Sequence, residues 1–240
     1  MSISTIDDSQ RTAARIAGFT LLAAIAIVMF GNLYLSVDLI VAGNAVDTAR
    51  NILAHETRFR ISMVCNLLYV ANVALLLSAL YTILKPVDRN LALVATFFRL
   101  VFATMWAITA LHMLEALALL GDAPYLKVFG TDQLQGLARM NIRGNFNAYY
   151  AGLPFYALAS TICSYLWFKS GYIPRALAGF GVIASAWCVL CAFAYLIFPD
   201  FDRLVNLWWF DTTYGSYLRN CIGSLASVQG LASIRNGPVS

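Results

Sequence analysis

The sequence predicts an all-α fold, a polytopic transmembrane helical bundle, and its composition, hydropathy and charge placement all support that class. Apolar residues make up 60% of the 240-residue chain and charged residues only 12%, against about a quarter charged in an ordinary soluble domain. The mean hydropathy is +0.72. The 16 basic residues stand mostly at the ends of apolar runs, as membrane anchors do. This distribution excludes a soluble domain and a nucleic-acid-binding surface.

Five apolar runs within residues 1–210 have the length of membrane spans, for which about 20 residues suffice. The predicted spans cover residues 16–35, 61–84, 91–120, 148–168 and 176–198. Arg11 and Arg15 precede the first run, as basic residues precede the core of a secretory signal. Signal cores have only about 7–15 residues, so the first run is predicted to be an uncleaved helix. The third run exceeds the thickness of the hydrocarbon and must tilt, protrude or bend.

Two kinds of connector alternate along the chain. Those after the second and fourth spans, residues 85–90 and 169–175, are tight and contain proline, and the second also contains glycine. Those after the first and third spans are longer and amphipathic, which predicts short helices on the membrane surface or over the bundle. Asn44 and Thr131 stand at the predicted helix starts. The predicted apolar faces are Val46, Ala49 and Leu53 in one helix, and Leu134, Leu137 and Ala138 in the other.

The placement of basic residues predicts the orientation of the chain. The tight turns carry Lys85, Arg89, Lys169 and Arg175. Short loops rich in lysine and arginine face the cytoplasm. The N-terminus is therefore expected in the cytoplasm and the two longer connectors outside.

Two stretches resemble a known family. One is L-K-P-V-D-R-N-L-A-L at residues 84–93, and the other is S-Y-L-W-F-K-S-G-Y-I-P-R-A-L-A-G at residues 164–179. Together with residues 59–101, they resemble the bacterial membrane family known as domain of unknown function 4386, over about residues 11–211. The resemblance implies a six-span helical architecture and a plasma-membrane location, here the bacterial inner membrane. It implies no activity.

The last thirty residues depart from the family pattern. Family members are expected to end on a sixth apolar helix that closes with a W-L-L-x-K-G-like motif. Residues 211–240 are instead polar and contain Arg219, Asn220 and Arg235. Codons for L-A-S-V-Q-G at residues 225–230, moved by one base, can encode W-L-L-F-K-G. The tail is therefore either a degenerate sixth helix produced by a frameshift or a genuine polar segment.

Candidate binding chemistry lies on the third span. His112 and Glu115 are three residues apart and share one helical face, where a carboxylate can hold the imidazole tautomer, relay a proton or ligate a cation. Antiparallel packing brings residues of the second span and the start of the fourth to the same depth. The predicted lining of an outward pocket is His112, Glu115, Asn66, Tyr69, Asn147, Tyr149 and Tyr150. The alternative is a wet Glu115 beside an imidazole that bonds between helices.

Arg99 is a second intramembrane charge, and such charges are functional candidates because burying them is costly. It lies roughly 12 Å inside the end of its helix by rise per residue. Its side chain is expected to reach the interface or to bond Ser78 and Tyr81, as a structural contact. The alternative role is contact with a substrate anion.

No catalytic signature is present: the chain has no phosphate-binding glycine loop, zinc helix or nucleophile elbow. The pair Cys188 and Cys191 is interpreted as apolar packing. Because His112 is the one histidine within a predicted span, ligation of a haem by two histidines is excluded. No metal or cofactor is expected. The sequence thus predicts a non-enzymatic module that binds a small ligand, a lipid or a partner protein. The alternative is a small transporter or permease subunit that uses His112, Glu115 and Arg99.

Overall fold

The computed structural model describes residues 8–41 and 44–198, and its regular elements within those ranges are all helical. The predicted all-α class is therefore confirmed. The proposed degenerate sixth helix and the polar tail at residues 211–240 lie outside the described residues.

The described chain contains six α-helices, one π-helical segment and one 3₁₀-helix. The α-helices are α1 (Asp8–Val28), α2 (Ala45–Ala54), α3 (Glu56–Leu84), α4 (Arg89–Leu119), α5 (Thr131–Ser170) and α6 (Arg175–Ile197). The π-helical segment, Met29–Ser36, continues α1 without a break, and the 3₁₀-helix is Pro124–Val128.

Five of these helical stretches are long and apolar enough to cross a membrane, which confirms the five predicted spans. They are Asp8–Ser36, Glu56–Leu84, Arg89–Leu119, Thr131–Ser170 and Arg175–Ile197. Helix α2 has 10 residues, about half of what a span requires.

Two helices begin earlier than the hydropathy pattern indicates. Helix α1 starts at Asp8 rather than near residue 16, and α3 starts at Glu56 rather than near residue 61. In both, an acidic residue occupies the first turn, where it interacts favourably with the positive end of the helix dipole. Hydropathy detects only the apolar part of a helix, so polar first turns escape it.

Helix α5 corrects the prediction for the second long connector. The segment that begins at Thr131 is not a separate short helix, because it continues without interruption into the fourth span for 40 residues in all. Gly130 precedes the helix: its carbonyl accepts from Leu134 N–H at 3.1 Å, and its N–H donates to Gln133 Oε1 at 3.1 Å. The cap is thus at Gly130, one residue before the predicted one.

The short helix predicted in the first long connector is confirmed as α2. The Asn44 side chain accepts a hydrogen bond from Asp47 N–H at 3.0 Å, as an N-cap residue should. The buried face consists of Thr48, Ala49 and Ile52. Of the predicted face, only Ala49 is buried, because Val46 and Leu53 are exposed.

The described residues form two compact units, and α1, α3, α4 and α5 each contribute residues to both. The described part of the first unit comprises residues 8–19, 76–99 and 153–198. Within its described part, Leu84, Ala92 and Leu166 form a buried cluster. Lys169 Nζ lies 3.4 Å from Asp88 Oδ2 and so joins the two tight turns. A hydrogen bond from Leu91 N–H, reinforced by Lys169, holds the pKa of Asp88 below its ordinary value.

The described part of the second unit comprises residues 20–41, 44–75 and 100–152. Its largest buried apolar cluster draws on α2, α3, α4, α5 and the turn after the π-helical segment. The cluster is Leu39, Ile52, Phe59, Met63, Met113, Ala116, Leu117, Ala138 and Ile142. This unit also holds all the predicted pocket residues.

The π-helical segment of the second unit is held by side-chain contacts. The Ser36 hydroxyl donates to the carbonyl of Gly31 at 3.2 Å. The Arg58 guanidinium donates to the Tyr34 carbonyl at 2.6 Å and to both carboxylate oxygens of Asp38. The Arg58 hydrogen bond keeps the pKa of Asp38 below its ordinary value, so this link between α3 and the chain after the π-helical segment stays charged at neutral pH.

Candidate functional site

The central feature of the candidate site is a contact among three polar side chains of α4 and α5. His112 Nδ1 lies 3.2 Å from Glu115 Oε2 and 3.3 Å from Asn141 Oδ1. Helix α4 supplies the histidine and the glutamate on one face, as their spacing predicts. Helix α5 supplies the asparagine because it extends back to Thr131.

The hydrogen bonds around His112 determine which ring nitrogen carries a proton. The Asn141 amide NH₂ donates to the Leu137 carbonyl at 3.3 Å, so its Oδ1 is turned toward the imidazole. His112 Nδ1 therefore meets two acceptor oxygens, one from an amide and one from a carboxylate. Assigned from this network, Nδ1 carries a hydrogen and donates it. Glu115 and Asn141 thus fix the orientation of the ring.

Gly144 lets α5 approach His112 closely. A Cβ atom at this position would lie 3.1–3.2 Å from three atoms of the imidazole ring. Sequence reasoning missed both Asn141 and Gly144. Asn141 and Gly144 are three residues apart, so they lie on one face of a helix. The fourth span predicted from the sequence starts near residue 148, and residues 131–147 were therefore not placed on that helix.

Substitution of Gly144 by alanine is expected to displace the His112 ring by a few tenths of an ångström and to weaken its hydrogen bonds. The matched control is Gly136→Ala on the same helix, where a Cβ atom meets nothing within 4 Å. Gly136→Ala should raise the free energy of unfolding by about 0.5–1 kcal/mol. In Gly144→Ala, the close contact of the new Cβ atom with the His112 ring should cancel this stabilisation. Thermal unfolding of the detergent-purified chain, with imidazole ¹⁵N shifts, measures both effects. Equal stabilisation with unchanged shifts would contradict the expectation.

A pocket of about 290 Å³ opens beside this trio. It is lined by Glu115, Ala118, Leu119, Tyr125 and Asn141. The Glu115 side chain is 48% exposed, so its carboxylate is available to a ligand while one oxygen meets His112. The 3₁₀-helix of the connector supplies Tyr125, which sequence reasoning also missed.

Asn66, another predicted pocket residue, lies instead in a buried polar network. It is only 4% exposed. Its Oδ1 accepts from Trp106 Nε1 at 3.1 Å and from Asn32 Nδ2 at 3.4 Å, and its Nδ2 points to Met113 Sδ at 3.6 Å. The network therefore joins α3 to α4 and to the π-helical segment.

Two of the three predicted tyrosines pack against the same tryptophan, and the third packs against one of them. The Trp106 ring lies 4.5 Å from the Tyr69 ring and 5.4 Å from the Tyr149 ring, and Tyr150 lies 5.4 Å from Tyr149. These rings pack directly on one another. Asn147, the remaining predicted residue, is exposed. The structure thus brings His112 into contact with Glu115, which lines the pocket. It places Asn66, Tyr69 and Tyr149 around Trp106, and Tyr150 against Tyr149.

Arg99 belongs to the first unit. Its guanidinium carbon lies 3.9 Å from the centre of the Tyr156 ring, a cation–π contact that the sequence did not indicate. Arg99 and its predicted neighbour Tyr81 line a cavity of about 10 Å³, the size of one water molecule. The contact supports the anchoring role, and contact with an anion stays a prediction.

Metal-binding groups are sparse in the described part of the chain. No three His, Cys, Asp or Glu side chains there converge as a metal site would require. Cys188 and Cys191 are buried free thiols on α6.

The five membrane-length helices define a multi-pass helical membrane protein. A family model for a domain of unknown function, DUF4386, matches residues 16–217. The chain therefore belongs to that family, and the resemblance seen in its two turn motifs is confirmed. Neither a curated protein nor a solved structure matches the chain.

Proposed function

We propose that the chain is a non-enzymatic binding module of the membrane, with its site at the pocket beside Glu115. One observation carries the proposal: the half-exposed carboxylate of Glu115, held by its contact with His112, lines a 290 Å³ pocket together with Asn141. Small-molecule sites are concave and mostly apolar, with a few polar groups that fix the orientation of the ligand. Ala118 and Leu119 supply the apolar part, and Glu115 and Asn141 supply the polar part.

The proposal leaves out catalysis because of what surrounds His112. In the part of the chain that the structure describes, its hydrogen-bond partners are a carboxylate and an amide. No serine or cysteine of the described ranges pairs with the imidazole as an activated nucleophile would.

The test fills the pocket and compares ligand protection. Ala118→Trp places an indole in the lining, and Leu114→Trp on the same helix is the control because Leu114 is exposed outside the lining. Cationic, neutral and anionic amphiphiles are added to each detergent-purified variant, and thermal unfolding is followed. At least one class should raise the Tm of the wild type and of Leu114→Trp but not of Ala118→Trp. Protection that survives in Ala118→Trp, or none in any class, would refute the pocket as the site.

The second candidate function is proton-coupled transport. It is favoured by the contact of His112 with Glu115 on a membrane-length helix, because intramembrane carboxylate and histidine groups form proton relays. Loss of proton flux in proteoliposomes after Glu115→Gln would support transport. Unchanged flux with loss of ligand protection supports binding, and a fall in protein abundance alone supports a structural role.

Partner binding is a third outcome for the same module. Helix α2 exposes Val46 and Leu53 on a short amphipathic helix, which suits contact with lipid or with a second protein. Crosslinking from Val46 and Leu53 in intact membranes distinguishes a protein partner from lipid. A discrete protein adduct supports a partner, and labelling by lipid probes alone supports contact with the bilayer.

The location proposed is the bacterial inner membrane, with the N-terminus in the cytoplasm. The support is the basic character of the two tight turns, which carry Lys85, Arg89, Lys169 and Arg175. In a background without native cysteines, Asp122→Cys should react with an impermeant maleimide in intact cells and Lys85→Cys only after permeabilisation. The reverse pattern would invert the topology.

A further inference from the structure

We infer that the pocket beside Glu115 takes an organic ammonium group carried on an apolar body, an inference that rests on the proposed binding function. The ammonium group is expected at the Glu115 carboxylate and the apolar body against Ala118 and Leu119. The chemistry is shared by a phospholipid headgroup that bears an amine and by a free amphiphilic amine.

The charge of the lining favours a cation. Glu115 and Asn141 are the polar residues that line it with Tyr125, and among these described residues none is Lys or Arg. The Asn141 amide donates to Leu137 and the His112 Nδ1–H donates to the two side-chain oxygens. Among the residues that line the pocket, Glu115 is the one with an acidic side chain. A ligand that is positive and donates hydrogen bonds complements this arrangement, and an anion does not.

The tyrosine gives a second attraction for the same group. Tyr125 lines the pocket, and none of the other described residues that line it is basic. An ammonium group within about 6 Å of a tyrosine ring is attracted to the negative face of that ring. Carboxylate and aromatic ring together are the combination by which proteins bind alkylammonium groups.

The size of the pocket and the surface beside it fit an amphiphile. A volume of about 290 Å³ is at the small end of ligand sites, so it holds a headgroup and not the whole of a two-chain lipid. The connector that supplies Tyr125 also exposes apolar side chains: Val128 is 86% exposed and Phe129 is 48% exposed. Val128 and Phe129 do not belong to a membrane-length helix, so a span does not account for their exposure. They offer an apolar surface for the remainder of the ligand or for the bilayer.

The experiment measures the binding of hexylammonium, which is positive and carries N–H donors, to the full chain in a non-ionic detergent, by calorimetry and by thermal unfolding. Hexanol and hexanoate are the neutral and anionic comparison probes. Saturable binding is expected for the ammonium probe on the wild type and on Asp122→Asn, a control that removes an exposed carboxylate outside the lining. Glu115→Gln should weaken it by about fivefold, because it removes the negative charge that faces the ammonium group. Because Tyr125 is 67% exposed, Tyr125→Ala should fold normally and weaken binding several-fold, whereas Tyr125→Phe should retain it.

Two results would overturn the inference while leaving the binding function intact. One is hexanol binding as tightly as the ammonium probe, with both lost in Ala118→Trp. The other is Glu115→Gln binding as tightly as Asp122→Asn, again with loss in Ala118→Trp. Absence of saturable binding for all three probes would refute the inference together with the proposed function.

Nanodiscs distinguish the two sources of the ammonium group, and both answers support the inference. If phosphatidylethanolamine discs weaken binding of the probe and phosphatidylglycerol discs do not, the ligand is a lipid headgroup. If the probe binds equally in both discs, the ligand is a free amphiphilic amine.

Discussion

Replacement of Asn66 by alanine is expected to lower the free energy of unfolding by about 1–3 kcal/mol. The substitution removes the acceptor for both Trp106 Nε1 and Asn32 Nδ2 at a position that is 4% exposed. Donors left unsatisfied in a buried site retain their full desolvation cost, which exceeds the value of an average hydrogen bond. The missing side chain also leaves a space among the packed rings.

The matched control is Asn72→Ala on the same helix. The Asn72 side chain donates one hydrogen bond, 2.7 Å long, to the backbone carbonyl of Thr20. Its loss leaves an acceptor that can still accept from its own helix, so the cost should be about 0.6 kcal/mol, typical of one interhelical bond in a membrane protein. Thermal unfolding, followed by tryptophan fluorescence in detergent, compares the two. Equal losses would show that the Asn66 network contributes no more than a single contact.

Replacement of Gly31 by alanine is the other change with a large expected effect, about 1–3 kcal/mol of destabilisation from overpacking. A Cβ atom on Gly31 would lie 2.8 Å from the Cβ atom of Cys65 on α3. Since that neighbour is the stiff first atom of a side chain, relief requires a shift of the backbone. The π-helical segment must then move away from α3, and the Asn32 contact to Asn66 must lengthen.

The contact with a Cβ atom gives this prediction a specific rescue. Cys65→Gly should restore part of the stability of Gly31→Ala, because it removes the atom in conflict. Cys65→Ala should not, because alanine keeps that atom. Gly18→Ala in α1 is the control, since nothing lies within 4 Å of its added Cβ. Rescue by Cys65→Ala to the same extent would show that the thiol, and not the close approach of the helices, limits the packing.

The fold class and the number of membrane-length helices could be predicted because both depend on composition and run length. The π-helical segment could not be predicted in this way. Its hydrogen bonds run from residue i to i+5, and the side chains that bond to it from another helix are Arg58 and Asn66. The unbroken course of α5 was also missed. Residues 131–147 are polar enough to suggest a surface segment, and helical continuity does not require apolar residues.

The candidate site was predictable only within one helix. The pairing of His112 with Glu115 follows from their spacing, whereas Asn141 and Gly144 reach His112 through the packing of α5 on α4. The prediction grouped Asn66 with His112 because both lie at about the same depth in the membrane. Depth along a helix does not fix the direction in which a side chain points. Asn66 points to Trp106 and Asn32, because rotation about the axis of α3 decides its partners. Tyr156 beside Arg99 was missed for the same reason.

The π-helical segment has a consequence for comparing this chain with its relatives. A π turn takes up one residue more than an α turn, and one residue corresponds to a rotation of about 100° around an α-helix. The side chains of Met29–Ser36 therefore follow a different helical phase from those of Asp8–Val28. A family member that is regularly α-helical throughout this span aligns with the present chain only through a gap inside the span. Alignment schemes that forbid gaps in membrane helices would assign every residue on one side of it to the wrong face.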